Sequence, residues 1–450
     1  MHLKLIDMKI LFTIISIFLS LSTLFSQKDK QNENILKLAN QESEKYMNLY
    51  MDLHKNPELS FMEFETSKKM ANELKSIGFE VTTGVGGNGV VGVFKNGKGK
   101  VIMLRTDMDA LPIKENTGLF FSSKVRMNDA SGNDSPVMHA CGHDLHMSVW
   151  LGTLRTLIAL KNEWKGTIVA IAQPAEEVSG GSNAMISDGL FQKFPKPDLA
   201  LCYHVSAELP SGTIGYYQGP IFAGVNSAEI TVYGIGGHGA MPHTTIDPIV
   251  LSARIILDIQ TIVSREINPV KPAVVTVGAI HGGTKHNIIP DEVKMLLTIR
   301  FFDEGVYKQI RESLVRIIRG AALASGLPEN KMPLIEFGNQ YTPPVLNDPD
   351  LVLQTVKYMK EILCNENVIQ VDPATVAEDF GKYGRTEEKI PIALFWLGGV
   401  SQNKYIDHVE KRTYLPPLHN SSFAPDFAPT FKGGVQAMSK AVINLFGNKQ

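Results

Sequence analysis

The sequence predicts an α/β protein in two parts: a larger domain built round a central sheet, and a small α+β unit of βαββα order inserted into it. Three observations point there. Short apolar runs alternate with helical periodicity from about Val90 to Gly219, the pattern changes near residue 222, and helix, strand and helix return after residue 336. With 450 residues, of which 44% are hydrophobic and 20% charged, the chain is long enough for two or three cores. Disorder, collagen and a multi-span membrane protein are excluded. The 44 Lys+Arg against 46 Asp+Glu leave a net charge of -2, so no global field holds the protein on nucleic acid or anionic lipid. Partners must be recognised by local sites, and none is expected to be a nucleic acid.

Residues 1–26 read as a signal peptide. Lys4 and Lys9 precede an apolar run from Ile10 to Leu24, and the chain turns polar at Ser26, Gln27 and Lys28. That run is about 15 residues, whereas a spanning helix needs roughly 20. Cleavage after Ser26 would give an exported protein, periplasmic or extracellular. Leu24 is larger than the small residue usual three positions before a cleavage site, so an uncleaved N-terminal membrane anchor is the alternative.

The larger domain is expected over 32–221 and again over 337–450. Helical periodicity opens it, with Ile35, Leu38 and Ala39 followed by Tyr46, Leu49, Tyr50 and Leu53, then Met70, Leu74 and Ile77. GVVGVF, KVIMLRTD, GTIVAIAQPAEE, PDLALCYHV and GTIGYYQG read as strands, with a helix from about His146 to Leu160. The inserted unit, 222–336, reads as a strand (AEITVYGI), a Gly-rich turn, a helix over Asp247 to about Ile262, two strands (AVVTVGAI, EVKMLLTIR) and a helix over Val306 to Ala324. A helix from about Asp350 to Leu363, the strand PIALFWLGG and a C-terminal helix complete the larger domain.

Chemistry-bearing residues gather just after the strand-like runs: Asp107 and Asp109, Glu176 and Glu177, and His204. In open α/β sheets ligands bind beyond the carboxyl ends of the strands, so these groups are placed to converge. Taken singly, each acid is equally a loop or helix-capping residue. MHACGHDLHMS is more specific. Cys141 and His143 stand two apart, face the same way in extended backbone, and form a thiolate–imidazole pair suited to Zn²⁺ or another transition metal. Glu177 and His204 are available to complete the set. His139 and His146 read as satisfied core or helix-start histidines. Paired Glu176 and Glu177 suit a division of labour between a ligand carboxylate and a proton acceptor.

Read together, HKNPELSFMEFET, RTDMDALPIKENTG, MHACGHDLH, QPAEE, GIGGHGAMPH, GGTKHNIIPD, AEDFGKY and LHNSSF resemble the M20 metallopeptidase family. The resemblance is to its amidohydrolase branch, which includes hippurate hydrolase, N-acyl-amino-acid deacylases and auxin-conjugate hydrolases. It implies a catalytic domain of the zinc-peptidase type with a central mixed sheet, two divalent cations, and an inserted lid that mediates homodimerisation. It further implies Cys141, His143, Glu177, His204 and His419 as metal ligands, Glu176 as the general base acting on a water between the cations, and Asp109 as the acid that orients a ligand. Asp107 takes the position where other branches put a ligand histidine. In the lid, His238 corresponds to the histidine that reaches the substrate carbonyl, commonly across the dimer, and Asn287 to a substrate contact. Arg300 is a candidate for a substrate carboxylate, since guanidinium binds carboxylate bidentately.

The expected activity is hydrolysis of the amide of N-acyl amino acids, with small N-acyl amino acids or short peptides as partners. A dipeptidase or carboxypeptidase of the same family and a non-catalytic binder of acylated amino acids are the rivals. A free amino terminus calls for an acidic or carbonyl-lined pocket, an acyl group for an apolar one. Phe222, Phe395 and Trp396 are candidate lining but read more simply as core. Mn²⁺ or Zn²⁺ is the expected metal, and imidazole with one thiolate also suits Co²⁺ and Ni²⁺. The polar segment before Met138, residues 128–137, is expected near the cleft. Cys202 and Cys364 are expected to be buried or free.

Overall fold

The computed structural model describes the backbone of residues 2–447 and side chains from Asp29 onward. The signal-peptide reading of residues 1–26 therefore lies outside the described side chains. Among the described residues no helix is long and apolar enough to cross a membrane.

Helices α1 (His2–Lys55) and α2 (Phe64–Ser76) lead into strands β1 (Glu80–Val85), β2 (Gly89–Asn96) and β3 (Val101–Asp107). A hairpin of β4 (Arg126–Asn128) and β5 (Asp134–Pro136) precedes α3 (His143–Ala159), β6 (Gly166–Gln173), α4 (Gly181–Ser187) and α5 (Leu190–Lys193). Then come β7 (Leu199–Pro210), β8 (Ile214–Tyr216) and β9 (Gly219–Phe222). The small unit holds β10 (Gly224–Tyr233), β11 (Gly237–His238), α6 (Pro248–Thr261), β12 (Ala273–Gly282), β13 (Ile288–Ile289), β14 (Glu292–Phe301), α7 (Glu304–Ala324) and β15 (Leu334–Phe337). The chain returns through β16 (Val345–Asn347), α8 (Pro349–Leu363), β17 (Val368–Gln370), β18 (Ile392–Val400), α9 (Gln402–Lys411) and α10 (Phe427–Leu445).

The large sheet is mixed, with strand order β1-β2-β6-β3-β7-β18-β8-β17. Its centre, β6-β3-β7-β18, is parallel throughout. These strands are buried along nearly their whole length, as in β18, because α1, α3, α8 and α10 cover one face and a second apolar cluster the other. That double burial is why they read as unbroken apolar runs rather than alternating ones. Parallel strands also share a carboxyl end. Asp107 and Gln173, paired in register, deliver the following acids to one edge of the sheet.

The small unit is an antiparallel sheet, β12-β14-β10-β15, with α6 and α7 packed on one face. β14 alternates exposed and buried residues along nearly its whole length, the mark of a sheet covered on one side. Asp247 and Asp303 cap α6 and α7, each accepting N–H bonds from the first turn. Several elements exceed the expected order, among them β15, β1 and α9. β15 adds a fourth strand beside β10, and its four half-exposed residues are too short for an alternation to be read. β1 is largely exposed and α9 buries none of its residues, so neither joins the core.

Candidate metal centre

The CGH segment does not run extended as expected. Gly142 adopts φ 79°, in the left-handed region that glycine tolerates, and the chain turns there into α3. His143 is therefore the first helical residue. The turn still brings Cys141, His143 and His204 together, their ligand atoms all within 4.8 Å of one another. His143 Nδ1 lies 2.8 Å from the carbonyl oxygen of Asp109, and His204 Nδ1 lies 2.9 Å from that of Val205. A ring nitrogen facing a carbonyl carries the hydrogen, which leaves each Nε2 lone pair free. His204 is flanked edge-on by Phe222 and Trp396, at 5.9 and 5.3 Å. Both rings are core residues, as is Phe395.

His419, unremarkable by spacing, is carried in by the backbone. Its N–H donates to Ala140 at 2.9 Å and its φ is 63°. Its Nε2 then stands 3.3 Å from Cys141 Sγ and 3.4 Å from Glu177 Oε2.

Glu176 and Glu177 sit in a turn with two non-glycine residues at positive φ, Ala175 at 51° and Ser179 at 52°. Each such residue costs roughly 1–2 kcal/mol, and the conformation persists only where neighbours enforce it. Here they do. Asp109 Oδ1 and Oδ2 accept the backbone N–H groups of Glu176 and Glu177, both at 3.0 Å. Glu63 accepts that of Ala175 at 2.8 Å, and Lys382 Nζ donates to the Ser179 carbonyl at 2.5 Å. Ala175 O takes the N–H groups of Gly180 and Gly181.

The residues fit a cation. His143 Nε2 and Glu177 Oε1 are buried, have no hydrogen-bond partner, and lie 3.8 Å apart. Two triads, Cys141–His143–His204 and Cys141–Glu177–His419, share the thiol. The field is anionic. Burial, then Glu378 and Glu177, push the Glu176 carboxyl well above its usual range. Burial lifts Glu177 to about 8 against the pull of His143. For His143, burial opposes the charge but Asp107, Asp109 and Glu177 prevail and raise it to about 10. His204 is lowered by burial and then by His146. Burial, Glu177 and Glu176 push the Cys141 thiol up. A coordinated cation inverts this logic, taking thiolate and carboxylate as anions and imidazole as the neutral ring.

Asp107 borders the centre, its Oδ2 3.8 Å from His143 Nε2, and forms a third candidate group with His143 and His146. Its oxygens lie 2.7 Å from Arg105 and from His146 Nδ1, while His146 Nε2 accepts the Val205 N–H. His146 is thus the satisfied core histidine expected. His139 is not, because it is buried with neither ring nitrogen partnered. Arg105 also grips Glu378 through two bonds, at 2.8 and 3.0 Å, and lies 3.2 Å from Asp379. Arg105, Glu378, Asp379 and Glu63 lie inside quoted motifs but received no role from the sequence. Their partners are too distant along the chain to be read from it.

A cavity of about 360 Å³ opens over the centre, lined by Cys141, Glu176, Glu177, His204 and His419, with Ser179, Val225, Arg300, Val376, Ala377 and Leu418. Arg300, at the end of β14, is half-buried and is this cavity's one cationic side chain among the described residues. His238 and Asn287 do not line it. They stand together on the small unit, where Gly239 N–H donates to Asn287 O, and both are exposed. The 128–137 segment does not line it either. It forms part of the β4–β5 hairpin and is largely exposed apart from Val137. Cys202 is buried, Cys364 exposed, and both are free.

The chain is similar to known proteins. The chain is 38% identical to thermostable carboxypeptidase 1 of Saccharolobus solfataricus, over 83% of this chain and 88% of that one. It is 36% identical to N-acetyldiaminopimelate deacetylase of Exiguobacterium sibiricum, over 77% and 88%. The crystal structure of a Bacillus subtilis dinuclear metal-binding peptidase from the M20 family superposes with a TM-score of 0.71 at 28% identity, covering 90% of this chain and 99% of that one. Residues 103–417 match the model of peptidase family M20/M25/M40, and the chain belongs to that family as a metal-dependent hydrolase.

Proposed function

We propose that the protein hydrolyses the amide bond of N-acyl amino acids. The observation that carries this reading is the lining of the cavity. Apart from the candidate ligands and Glu176 it offers apolar Val225, Val376, Ala377 and Leu418, the hydroxyl residue Ser179, one cation, Arg300, and no further carboxylate. A free ammonium finds no counter-charge there beyond the centre itself. An apolar acyl group finds burial, and the carboxylate of the amino acid finds a guanidinium. The deacetylase relative supports the same substrate class.

Cys141, His143, Glu177, His204 and His419 would hold two divalent cations, Mn²⁺ or Zn²⁺, with Co²⁺ or Ni²⁺ compatible with the same donors. When bound, such cations acidify water and polarise a carbonyl. Glu176 accepts the proton of the attacking water and delivers it to the leaving amine. Asp109 holds Glu176 and Glu177 in place through their N–H groups and fixes the ring of His143. Arg300 orients the substrate by its carboxylate.

His238 and Asn287 take part through a second copy of the chain. β12 is one of the two edges of the small sheet, and α6 exposes Ile249, Val250 and Leu257 beside the unit's exposed Ile280 and Ile288. An unpaired edge and an apolar surface of this kind support a homodimer through the lid. His238 from the partner then stabilises the oxyanion, with Asn287 against the substrate. The carboxypeptidase reading rests on the same Arg300 and on the Saccharolobus relative, and differs only in what is acylated to the terminal residue. Export by cleavage after Ser26 completes the proposal, with an uncleaved N-terminal anchor as its alternative.

Amine release from acetyl-, benzoyl- and indoleacetyl-amino acids, set against dipeptides with a free amino terminus, tests the substrate class. Cleavage of the acylated set is expected. Cleavage of dipeptides alone would move the protein to the dipeptidase reading.

A further inference from the structure

Glu63 neither ligates nor lines the cavity, yet it is completely buried. Its Oε1 accepts the N–H of Phe61 at 3.0 Å and of Ala175 at 2.8 Å, and its Oε2 accepts from Asn88 Nδ2 at 3.1 Å. Three donors converge on one carboxylate. Ala175 is the left-handed residue immediately before Glu176, so the direction in which the Glu176 side chain leaves the turn follows from how Ala175 is held. The same loop reaches the other end of the turn. Phe61, itself at φ 61°, packs so closely on Gly180 that an added Cβ there would meet its ring at 3.0 Å. The ELSFMEF loop thus grips the turn at Ala175 and at Gly180, on either side of Glu176 and Glu177.

We infer that Glu63 is a positioning residue for Glu176: by holding the Ala175 N–H it fixes the left-handed turn that aims the proton-carrying carboxylate into the cavity. The inference rests on the reading of Glu176 as the proton carrier. Asp109 anchors the N–H groups of Glu176 and Glu177, and Glu63 anchors the residue before them, so the turn is fixed at three consecutive amides. Glu63 makes no hydrogen bond to a candidate ligand among the described residues, and Asp109 still holds the Glu177 N–H without it, so losing it should leave metal binding intact.

The test compares wild type, Glu63→Ala and Glu63→Gln as metal-loaded full-length proteins. In Glu63→Gln the amide oxygen still accepts from Ala175 and Phe61, and Asn88 turns its own oxygen to the new NH₂. Glu63→Ala should lower kcat roughly 10- to 100-fold, with KM and metal content unchanged, and Glu63→Gln should stay near wild type. Hydrogen–deuterium exchange over residues 174–181 should quicken in Glu63→Ala alone. Unchanged kcat and exchange in Glu63→Ala, loss of metal in step with activity, or equal damage in both variants would overturn the inference. If Glu63→Ala does not fold, Glu63→Asp, one methylene too short to reach Ala175, is read by the same criteria. A wild type inactive on every N-acyl substrate would sink the amidohydrolase reading, and the exchange measurement would still decide whether Glu63 holds the turn.

Discussion

One carboxylate oxygen of Asp109 accepts the backbone N–H of Glu176 at 3.0 Å. Its other oxygen does the same for Glu177, so a side chain just past the end of one central strand fixes the two acids that follow its neighbour. The backbones of Glu176 and Glu177, the proposed proton acceptor and the proposed ligand, are thereby held at a constant relation.

Asp109→Asn keeps one acceptor and turns an NH₂ toward the other N–H. It should weaken metal affinity about 10- to 100-fold and lower activity with it. Metal retention during titration with a chelator reads the effect directly. Unchanged retention would remove Asp109 from the positioning role.

Glu176→Gln should leave metal content at the wild-type level and lower kcat by about 10²–10⁴. Metal analysis beside turnover on the preferred N-acyl substrate separates the two effects. A fully active variant would refute Glu176 as the proton carrier.

Arg300→Ala should raise KM roughly 10- to 100-fold with a much smaller change in kcat. Esterifying the substrate carboxylate should reproduce the loss in wild type and add nothing in the variant. A variant that still distinguishes acid from ester would place carboxylate recognition elsewhere.

Gly181 permits the turn by having no side chain. A Cβ there would lie 1.5 Å from the Pro174 carbonyl oxygen. Gly181→Ala should cost about 1 to 3 kcal/mol and loosen the metal centre, seen as a lower melting temperature together with lower metal content.

His54 is buried between Asp144 and Glu115, at 2.6 and 3.1 Å. Burial works against its charge, but the bonds to Asp144 and Glu115 outweigh it and raise the pKa from 6.5 to about 9. A raised histidine stabilises the fold fully below its unfolded pKa and less as pH climbs through the folded one. Thermal stability should therefore fall between about pH 6.5 and about pH 9. His54→Gln leaves two buried acids without their counter-charge and should cost about 3 to 5 kcal/mol, with a flatter pH dependence in that window. Identical slopes in the two proteins would contradict this.

Much of the architecture was legible because doubly buried parallel strands leave unbroken apolar runs and half-buried antiparallel ones alternate. The site was legible as far as residue type and strand end go: Cys141, His143, Glu177 and His204 were candidates before any geometry. His419 was known only by resemblance, since a backbone bond to Ala140 brings it in. The Arg105–Glu378 pair joins residues on opposite sides of the inserted unit, and no local pattern announces it. Nor does Ala175 announce a left-handed turn, because its neighbours impose that conformation. β15 escaped for a simpler reason, being four half-exposed residues with no period to read.

Hydrolysis is proposed to depend on metal held by Cys141, His143, Glu177, His204 and His419. The most direct measurement is amine release from one N-acyl amino acid by chelator-stripped protein, before and after Mn²⁺ or Zn²⁺ is returned, with bound metal counted in each sample. Activity that vanishes on stripping and returns as about two cations per chain are regained is the predicted result. Stripped protein that hydrolyses as fast as loaded protein, or loaded protein with no hydrolysis of any acylated or peptide substrate, would contradict it.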